Sequence, residues 1–349
     1  MGHDRVPNSI LRLGSEELAP SLTTIYNNCI EACYWPSEWK KGEWTPVYKK
    51  DSIYEVKNYR PVTLLPACDK VFEKLLSQQV TAFIEPRLSR NLTAYRKRHS
   101  TETSLIKLTE NWKRAIDDRN IVGILSTDMS KAFDSLHPPL LLSELDAYGF
   151  STSSKGLLRS YFTERKYRVK IGTEITSEWK EVLRGCPQGS TFGPLLWNTF
   201  QNDLNIFANE NNLTMYADDH QLYSAGQTVK EVQDTLNKEG EIISKWYESN
   251  LLKGNYEKYQ IMSMGPKGKT KDLEITMANV KIKCGSDISL LGLTIDQNLD
   301  FSKHASEECK RAGRKVGVLT RLRNILSARA KLITYKSAIL PQLTYCHIV

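Results

Sequence analysis

Asp218 and Asp219 stand side by side within MYADDHQLY, which starts at Met215. Apolar and aromatic residues lead into the pair, and Leu222 and Tyr223 resume the pattern beyond it. Alternation on both sides of an acidic tip reads as a β-hairpin. Two carboxylates held about 4 Å apart repel by roughly 4 kcal/mol at an effective dielectric near 20. Strands that fix both therefore need a cation there. Alone, Asp-Asp would equally suit a polar turn; a third acid tips the balance. In IVGILSTDMSKAFDSL, which begins at Ile121, the stretch Ile121 to Leu125 is almost continuously apolar and Asp128 sits just past its end. Such a run suits a strand buried on both faces. Ser130 can cap a helix over Lys131 to Leu136, so Asp128 is not needed as the cap. Brought beside Asp218 and Asp219, Asp128 would complete a set of hard oxygen ligands. That set suits two Mg²⁺ ions, which keep several waters and complete their shells with substrate phosphates. Ions paired about 4 Å apart activate an attacking hydroxyl and stabilise the leaving oxygen of an in-line phosphoryl transfer.

Between the acidic segments lies RGCPQGSTFGPLLWN, starting at Arg184. Pro187, Gly189, Gly193 and Pro194 make a loop that opens onto a helix beginning near Leu195. A glycine-rich backbone lets a nucleotide or base approach closely, and Gln188 offers both a donor and an acceptor. An ordinary tight loop before a helix would read the same way. The elements that must hold these residues follow from patterning. Residues 1–40 read as helical, with Leu18, Leu22, Ile25, Tyr26, Cys29 and Ile30 along one face and Trp35-Pro36 closing the element. Trp44 to Tyr48 reads as a strand, and helix follows from about Asp69. GPKGKTKD from Gly265 reads as a flexible basic loop, and strand-like Leu273 to Ile295 leads into a helical segment from about Ser302.

The strings NYRPVTLLPACDKVFEKLL from Asn58, AYRKRHSTETSL from Ala94, STDMSKAFDSL from Ser126, GCPQGSTFGPLLWN from Gly185 and YADD from Tyr216 resemble the reverse transcriptase family. NYEKYQIMSMG from Asn255 and LLGLTID from Leu290 extend the resemblance over nearly the whole chain. It is with the enzymes of non-LTR (LINE-type) retrotransposons in particular. The resemblance implies an α+β, right-hand polymerase fold: an N-terminal helical extension (1–40), fingers (41–120), a palm with a mostly antiparallel sheet (121–301) and a partial thumb (302–349). It makes Asp128, Asp218 and Asp219 the metal-binding catalytic acids, with the Met129 carbonyl a further ligand. Phe133 would lie beneath the incoming sugar and exclude a 2′-hydroxyl; packing in the core is the alternative. Gln188 and Gly189 would line the nucleotide pocket. Arg60 would reach the triphosphate, or else form a salt bridge within the fingers. Lys258 would protonate the departing pyrophosphate, or else be a solvated loop lysine. Gly292 would belong to the segment gripping the primer end, or be a plain strand glycine.

Composition fits this picture. The 349 residues carry a net charge of +8. The charge is uneven, with nine Lys or Arg against two Glu from Lys303 to Lys331. Val316, Leu319, Leu322 and Ile325 recur there at helical spacing, so one face would be core and the other a phosphate-facing or merely solvated strip. A second basic patch, Arg96 to His99 with Lys107, Lys113 and Arg114, suits contact with template, and Trp112 beside it would be a stacking surface or, as suits a tryptophan on a helix, core packing. Seven scattered cysteines form neither a disulfide framework nor a zinc motif. No apolar run approaches the length of a membrane span and no signal peptide opens the chain, so a soluble intracellular protein is expected. Neither an endonuclease domain nor a Cys/His nucleic-acid motif flanks the segment, which stops at PQLTYCHIV within the expected thumb. The sequence thus reads as a fragment of a longer open reading frame.

Two functions are open at this stage. One is an RNA-directed DNA polymerase, working on two Mg²⁺ (or Mn²⁺) ions with an RNA template, a DNA primer and deoxynucleoside triphosphates. The other is a catalytically inactive relic that only binds nucleic acid.

Overall fold

The computed structural model describes residues 2–172, 175–209, 211–266 and 273–349. Its strands, in chain order, are β1 (Lys41–Tyr48), β2 (Tyr59–Leu64), β3 (Ile121–Asp128), β4 (Lys166–Ile171), β5 (Ile175–Thr176), β6 (Lys180–Glu181), β7 (Leu213–Tyr216), β8 (Asp219–Gly226), β9 (Gln260–Met264), β10 (Glu274–Met277), β11 (Val280–Gly285), β12 (Asp287–Leu290) and β13 (Leu293–Asp296). They fall into two compact units. One comprises Met1–Arg90, Met129–Leu204 and Trp246–Lys253; the other comprises Asn91–Asp128, Asn205–Lys245 and Gly254–Val349.

The second unit is organised by β3. Its apolar run is buried throughout, and only Asp128 at its end is partly exposed. It lies inside a six-stranded sheet of order β10-β11-β9-β3-β8-β7, antiparallel to β8 and β9 on its two sides. A strand hydrogen-bonded on both edges and covered on both faces needs a continuous apolar sequence, which is what 121–125 supplies. Gly123 marks a close approach: a Cβ there would sit 2.5 Å from Val232 Cγ1 and 2.9 Å from Leu236 Cδ1. The helix Thr101–Asp117 starts from a capping box in which Ser100 and Thr103 satisfy each other's backbone. Its Leu105, Leu108 and Trp112 pack with Val122, Ile124, Met262 and Met264, and the β12–β13 hairpin adds Ile288, Leu290, Leu293 and Ile295 to the same core. Each such side chain contributes about 2 kcal/mol by burial. Trp112 is therefore core rather than a stacking surface.

The first unit holds a sheet of order β2-β1-β4-β5, with β6 also paired to β4. β1 runs antiparallel to β2 and parallel to β4. Trp35, Phe72, Tyr161 and Phe192 are buried beside it, their rings in edge and tilted contacts. Helix Ala67–Ile84 contributes Phe72 and two buried acids, Asp69 and Glu73.

Several expectations need correction. Ser130 caps nothing: the short helix is Ala132–Ser135, its N-cap position is Lys131 in the left-handed region, and Ser130 N instead donates to Lys253 O at 2.9 Å. Gly292 is no strand residue. With Leu291 it forms the turn between β12 and β13, both at positive φ, the geometry that a two-residue hairpin requires. The helix Ser302–Arg321 buries only Ala312, and Val316 and Ile325 are 45% and 78% exposed, so its apolar stripe is not a core face among the described residues. The helix also stops before Ile325, which breaks the register that the spacing implied. Of the GPKGKTKD segment, residues 267–272 lie outside the described residues. No helix among the described residues is long and apolar enough to cross a membrane.

Helix Pro138–Ala147 carries a group that makes stability depend on pH. Burial, with Asp203 nearby, pushes the Glu144 carboxyl up to about 9, and its Oε2 has no hydrogen-bond partner among the described residues. The folded value lies above the unfolded one, near 4.3. The wild type therefore loses stability as pH rises from the ordinary carboxylate range toward about 9. Glu144→Gln cannot ionise, so its urea midpoint should exceed that of the wild type by a margin that widens between pH 5 and pH 8. A margin constant across that range would reject burial as the cause.

Candidate active site

The register of β3 against β8 sets Asp128, the last residue of one strand, directly opposite Asp219, the first of the other. Directly opposed residues share a face of the sheet, with Cβ atoms about 5 Å apart. Tyr216 pairs with Asp219 across β7 and β8, which leaves Ala217 and Asp218 as a two-residue turn. Ala217 has φ 56°, the left-handed conformation such turns want at their first position and that a glycine more often supplies. A non-glycine residue there stores about 1 kcal/mol.

Asp128 has partners brought from far along the chain. Lys258 Nζ donates to its Oδ2 at 2.8 Å, Asn255 Nδ2 donates to the same oxygen at 3.3 Å, and Asn255 N donates to its carbonyl at 2.8 Å. The ion pair is partly exposed, with side-chain accessibilities of 51% for Lys258 and 21% for Asp128. Its net worth is about 1 kcal/mol at most. A cavity of about 160 Å³ opens here, walled among others by Asp128, Asp219, Gln221, Lys258, Gln260 and Ser289. Two of the three expected acids thus meet on one cavity. Asp218, on the turn, is not among its walls, and among the described residues no group of three His, Cys, Asp or Glu side chains lies close enough to hold a metal ion. A turn position falls outside the facing alternation of a ladder, which is why adjacency in sequence did not bring all three acids together. Behind the pair, His220 is fully buried, and desolvation lowers its imidazole to about 3, so it is neutral.

The first unit positions Gln188 and Gly189 tightly. Gln188 O accepts from Thr63 N at 2.7 Å, and Gln188 Nε2 donates to Asp134 Oδ1 at 2.8 Å. Asp134 is itself held above the usual carboxylate range by burial, an effect the Gln188 bond opposes. Gly189 has φ 132°, and a Cβ there would stand 2.6 Å from Thr63 O. Phe133 is half-buried, with its ring 5.6 Å from that of Trp197. Arg60 lies exposed on β2 opposite Val47, and among the described residues it makes no ion pair. Met129 is buried.

Sequence reasoning missed Asn255, Asp134 and Glu73. Asn255 lies three residues before Lys258, within reach of the same partner. Asp69 and Glu73 are four apart on a helix beside Phe72 and Leu76, an acidic pair on an otherwise apolar face, which is a readable anomaly.

Gly189→Ala should lose stability on two counts, backbone strain and collision with the Thr63 carbonyl. At Gly149, with φ 82°, an added Cβ would meet nothing within 4 Å, so Gly149→Ala isolates the strain, about 1 kcal/mol. Chemical denaturation should place Gly189→Ala well below Gly149→Ala; equal losses would show that the close approach to Thr63 does not matter.

Comparison with known proteins bears on this geometry. The family described as reverse transcriptase (RNA-dependent DNA polymerase) matches residues 47–302. The chain is 27% identical to the probable RNA-directed DNA polymerase from transposon BS of Drosophila melanogaster, over 97% of the chain and 39% of that protein. It is 28% identical to the probable RNA-directed DNA polymerase from transposon X-element of the same species, and 24% identical to the RNA-directed DNA polymerase from its mobile element jockey, in each case over 99% of the chain and 39% of the relative. The chain thus spans about two-fifths of the length of these relatives. Among solved structures, apo telomerase from Candida tropicalis truncated from its C-terminal domain superposes with a TM-score of 0.54 at 12% identity, covering 75% of this chain and 54% of that one. That likeness speaks to the fold alone, and it agrees with an α+β, right-hand polymerase architecture. With the family match spanning most of the chain and relatives drawn from non-LTR retrotransposons, this protein belongs to the reverse transcriptase family.

Proposed function

We propose that the chain catalyses RNA-directed DNA synthesis, in which a primer 3′-hydroxyl attacks the α-phosphate of a deoxynucleoside triphosphate on an RNA template and pyrophosphate leaves. The observation that carries this reading is the Asp128–Asp219 pair, opposed on adjacent strands and walling one cavity with Lys258. Reverse transcriptases generally use divalent metal ions. The donors here fit such ions: all are hard oxygens, and Mg²⁺ takes only one or two carboxylates from protein, filling its shell with water and substrate phosphates. By resemblance to the family, Asp128, Asp218 and Asp219, with the Met129 carbonyl, would hold two Mg²⁺ or Mn²⁺ ions, although of these only Asp128 and Asp219 wall the cavity as it stands. Bound there, the ions would make the primer hydroxyl more acidic and offset charge on the leaving group.

The other roles belong to the chain's own side chains. Lys258 gives a proton to the departing pyrophosphate; its ammonium, 2.8 Å from Asp128 Oδ2, supports a position beside the reacting atoms. Arg60 binds the triphosphate, a task that favours a planar, permanently charged and otherwise uncommitted guanidinium. Gln188 and Gly189 form a wall for the incoming nucleotide, supported by the rigidity of their turn. Phe133 rejects a 2′-hydroxyl by steric repulsion. Lys303, Lys310, Arg311 and Arg314 lie exposed along Ser302–Arg321 and contact nucleic-acid phosphates, so binding weakens as salt rises.

Primer extension on an RNA template with Mg²⁺ tests the reading. Asp128→Asn and Asp218→Asn should each lower the rate by a factor on the order of 10³, the scale of losing one group that stabilises transition-state charge. Undiminished extension in either variant rejects its assignment. Lys258→Met separates two contributions of one residue. It removes a cation from Asp128, so Mn²⁺ followed by electron paramagnetic resonance should bind a few-fold more tightly, in keeping with an ion pair worth about 1 kcal/mol. Extension should nevertheless slow. Unchanged or looser Mn²⁺ binding would show that the Lys258 ammonium does not compete with the ion for Asp128.

A further inference from the structure

We propose that Glu73 is a positioning residue for nucleotide binding, its buried carboxylate fixing the Gln188–Gly189 turn from behind. The inference rests on the polymerase reading above. Glu73 is fully buried within helix Ala67–Ile84. Its Oε2 accepts from Thr191 N at 2.7 Å, and its Oε1 accepts from Ser190 Oγ at 2.8 Å and from Tyr161 OH at 3.1 Å. Ser190 Oγ in turn accepts from Phe192 N at 3.0 Å and Gly193 N at 2.9 Å, at the start of the helix Gly193–Gln201. Those two bonds occupy the hydroxyl's lone pairs, and its proton lies toward Glu73 Oε1 at 2.8 Å, closer than the Tyr161 hydroxyl at 3.1 Å. Three donors therefore converge on one side chain, and only an acceptor-only group satisfies them all.

A buried cation accompanies the two acids. Arg165 is fully buried, donates from Nε to Tyr161 O at 2.7 Å and lies over the Tyr161 ring at 4.1 Å. Asp69, beside Glu73, accepts from Trp35 Nε1 at 2.8 Å, and burial pushes its carboxyl up to about 8. Burial raises the Glu73 carboxyl as well, a shift that Arg165 and the bonds from Ser190, Thr191 and Tyr161 oppose. Glu73, Tyr161 and Arg165 are each no more than 1% exposed, and the network opens only at its edge, where Thr191 is exposed. Its buried part holds the turn. Ser190 and Thr191 directly follow Gln188 and Gly189, which are tied on their other side to Thr63 and Asp134. The turn is clamped from both sides, and Glu73 provides one of the two clamps.

Glu73→Gln keeps the shape and turns an amide donor toward a cluster of donors. Steady-state primer extension should show KM for the deoxynucleoside triphosphate raised by about tenfold, the scale of one buried donor left unpaired. Affinity for the RNA–primer duplex, read by fluorescence anisotropy, should not change, and amide exchange over residues 186–192 should quicken. If Glu73→Gln does not fold, Ser190→Ala removes one donor while leaving the Thr191 bond, and should raise the same KM by a smaller factor. An unchanged KM in whichever variant folds overturns the proposal, including the case in which exchange quickens without it. A wild type that incorporates no nucleotide would overturn the polymerase reading instead, while exchange over 186–192 would still show whether Glu73 holds the turn.

Discussion

The alignment of β3 with β8 is the constraint from which the site follows. Because side chains alternate between faces, a slip of one residue would move Asp128 off the face it shares with Asp219. What fixes the register is packing rather than the acids. Gly123 sits where only a hydrogen fits against Val232 and Leu236, so β3 can slide in neither direction without driving a larger residue into that gap. Val122 and Ile124 are completely buried in the core below. The acids themselves oppose the arrangement: two charges about 5 Å apart repel by roughly 3 kcal/mol at an effective dielectric near 20. Lys258, at 2.8 Å from Asp128, offsets part of that repulsion. A large apolar core thus holds a small unfavourable polar feature in place.

Strain and buried polarity also occur beside these residues. Ala217 adopts a left-handed φ in the turn that carries Asp218. His220, next to Asp219, is kept neutral by complete burial. In the other unit, Gly189 takes a conformation closed to other residues, and a buried network of Asp69, Glu73, Tyr161 and Arg165 lies behind it. Each departs from local preference, and each adjoins residues assigned to chemistry or to nucleotide binding. The capped helix Thr101–Asp117, by contrast, is locally consistent.

What the sequence made legible was what depends on short range. The hairpin around Asp218 and Asp219, the buried run ending at Asp128 and the loop before Gly193 all carry alternation or turn chemistry over a few residues. The illegible parts depend on distant residues. Ser130 has a good capping side chain, yet its backbone is taken up by Lys253 and the helix starts later, behind a left-handed Lys131. Val316, Leu319, Leu322 and Ile325 carry the spacing of an amphipathic helix, but periodicity shows only that a face is apolar, not that anything covers it. Lys258 was readable as a site lysine only through resemblance; its contact with Asp128 spans 130 positions, and no local pattern reports it. Gly292 looked like a strand residue because the flanking strands are short and apolar, and the positive φ that marks a turn has no signature beyond the glycine itself.

Asp128 and Glu73 show two opposite uses of a carboxylate. Asp128 is partly exposed, at 21%, and its charged partner is a long, flexible lysine that is 51% exposed. Such a pair is weak and can be exchanged, which suits a group that must pass between protein, ion and substrate. Glu73 is wholly enclosed and holds three neutral donors. Removing one partner there strands a buried polar group, so the network is stiff. A ligand must be free to change partners and a positioning group must not. Solvent access to each carboxylate is the physical quantity that separates the two roles.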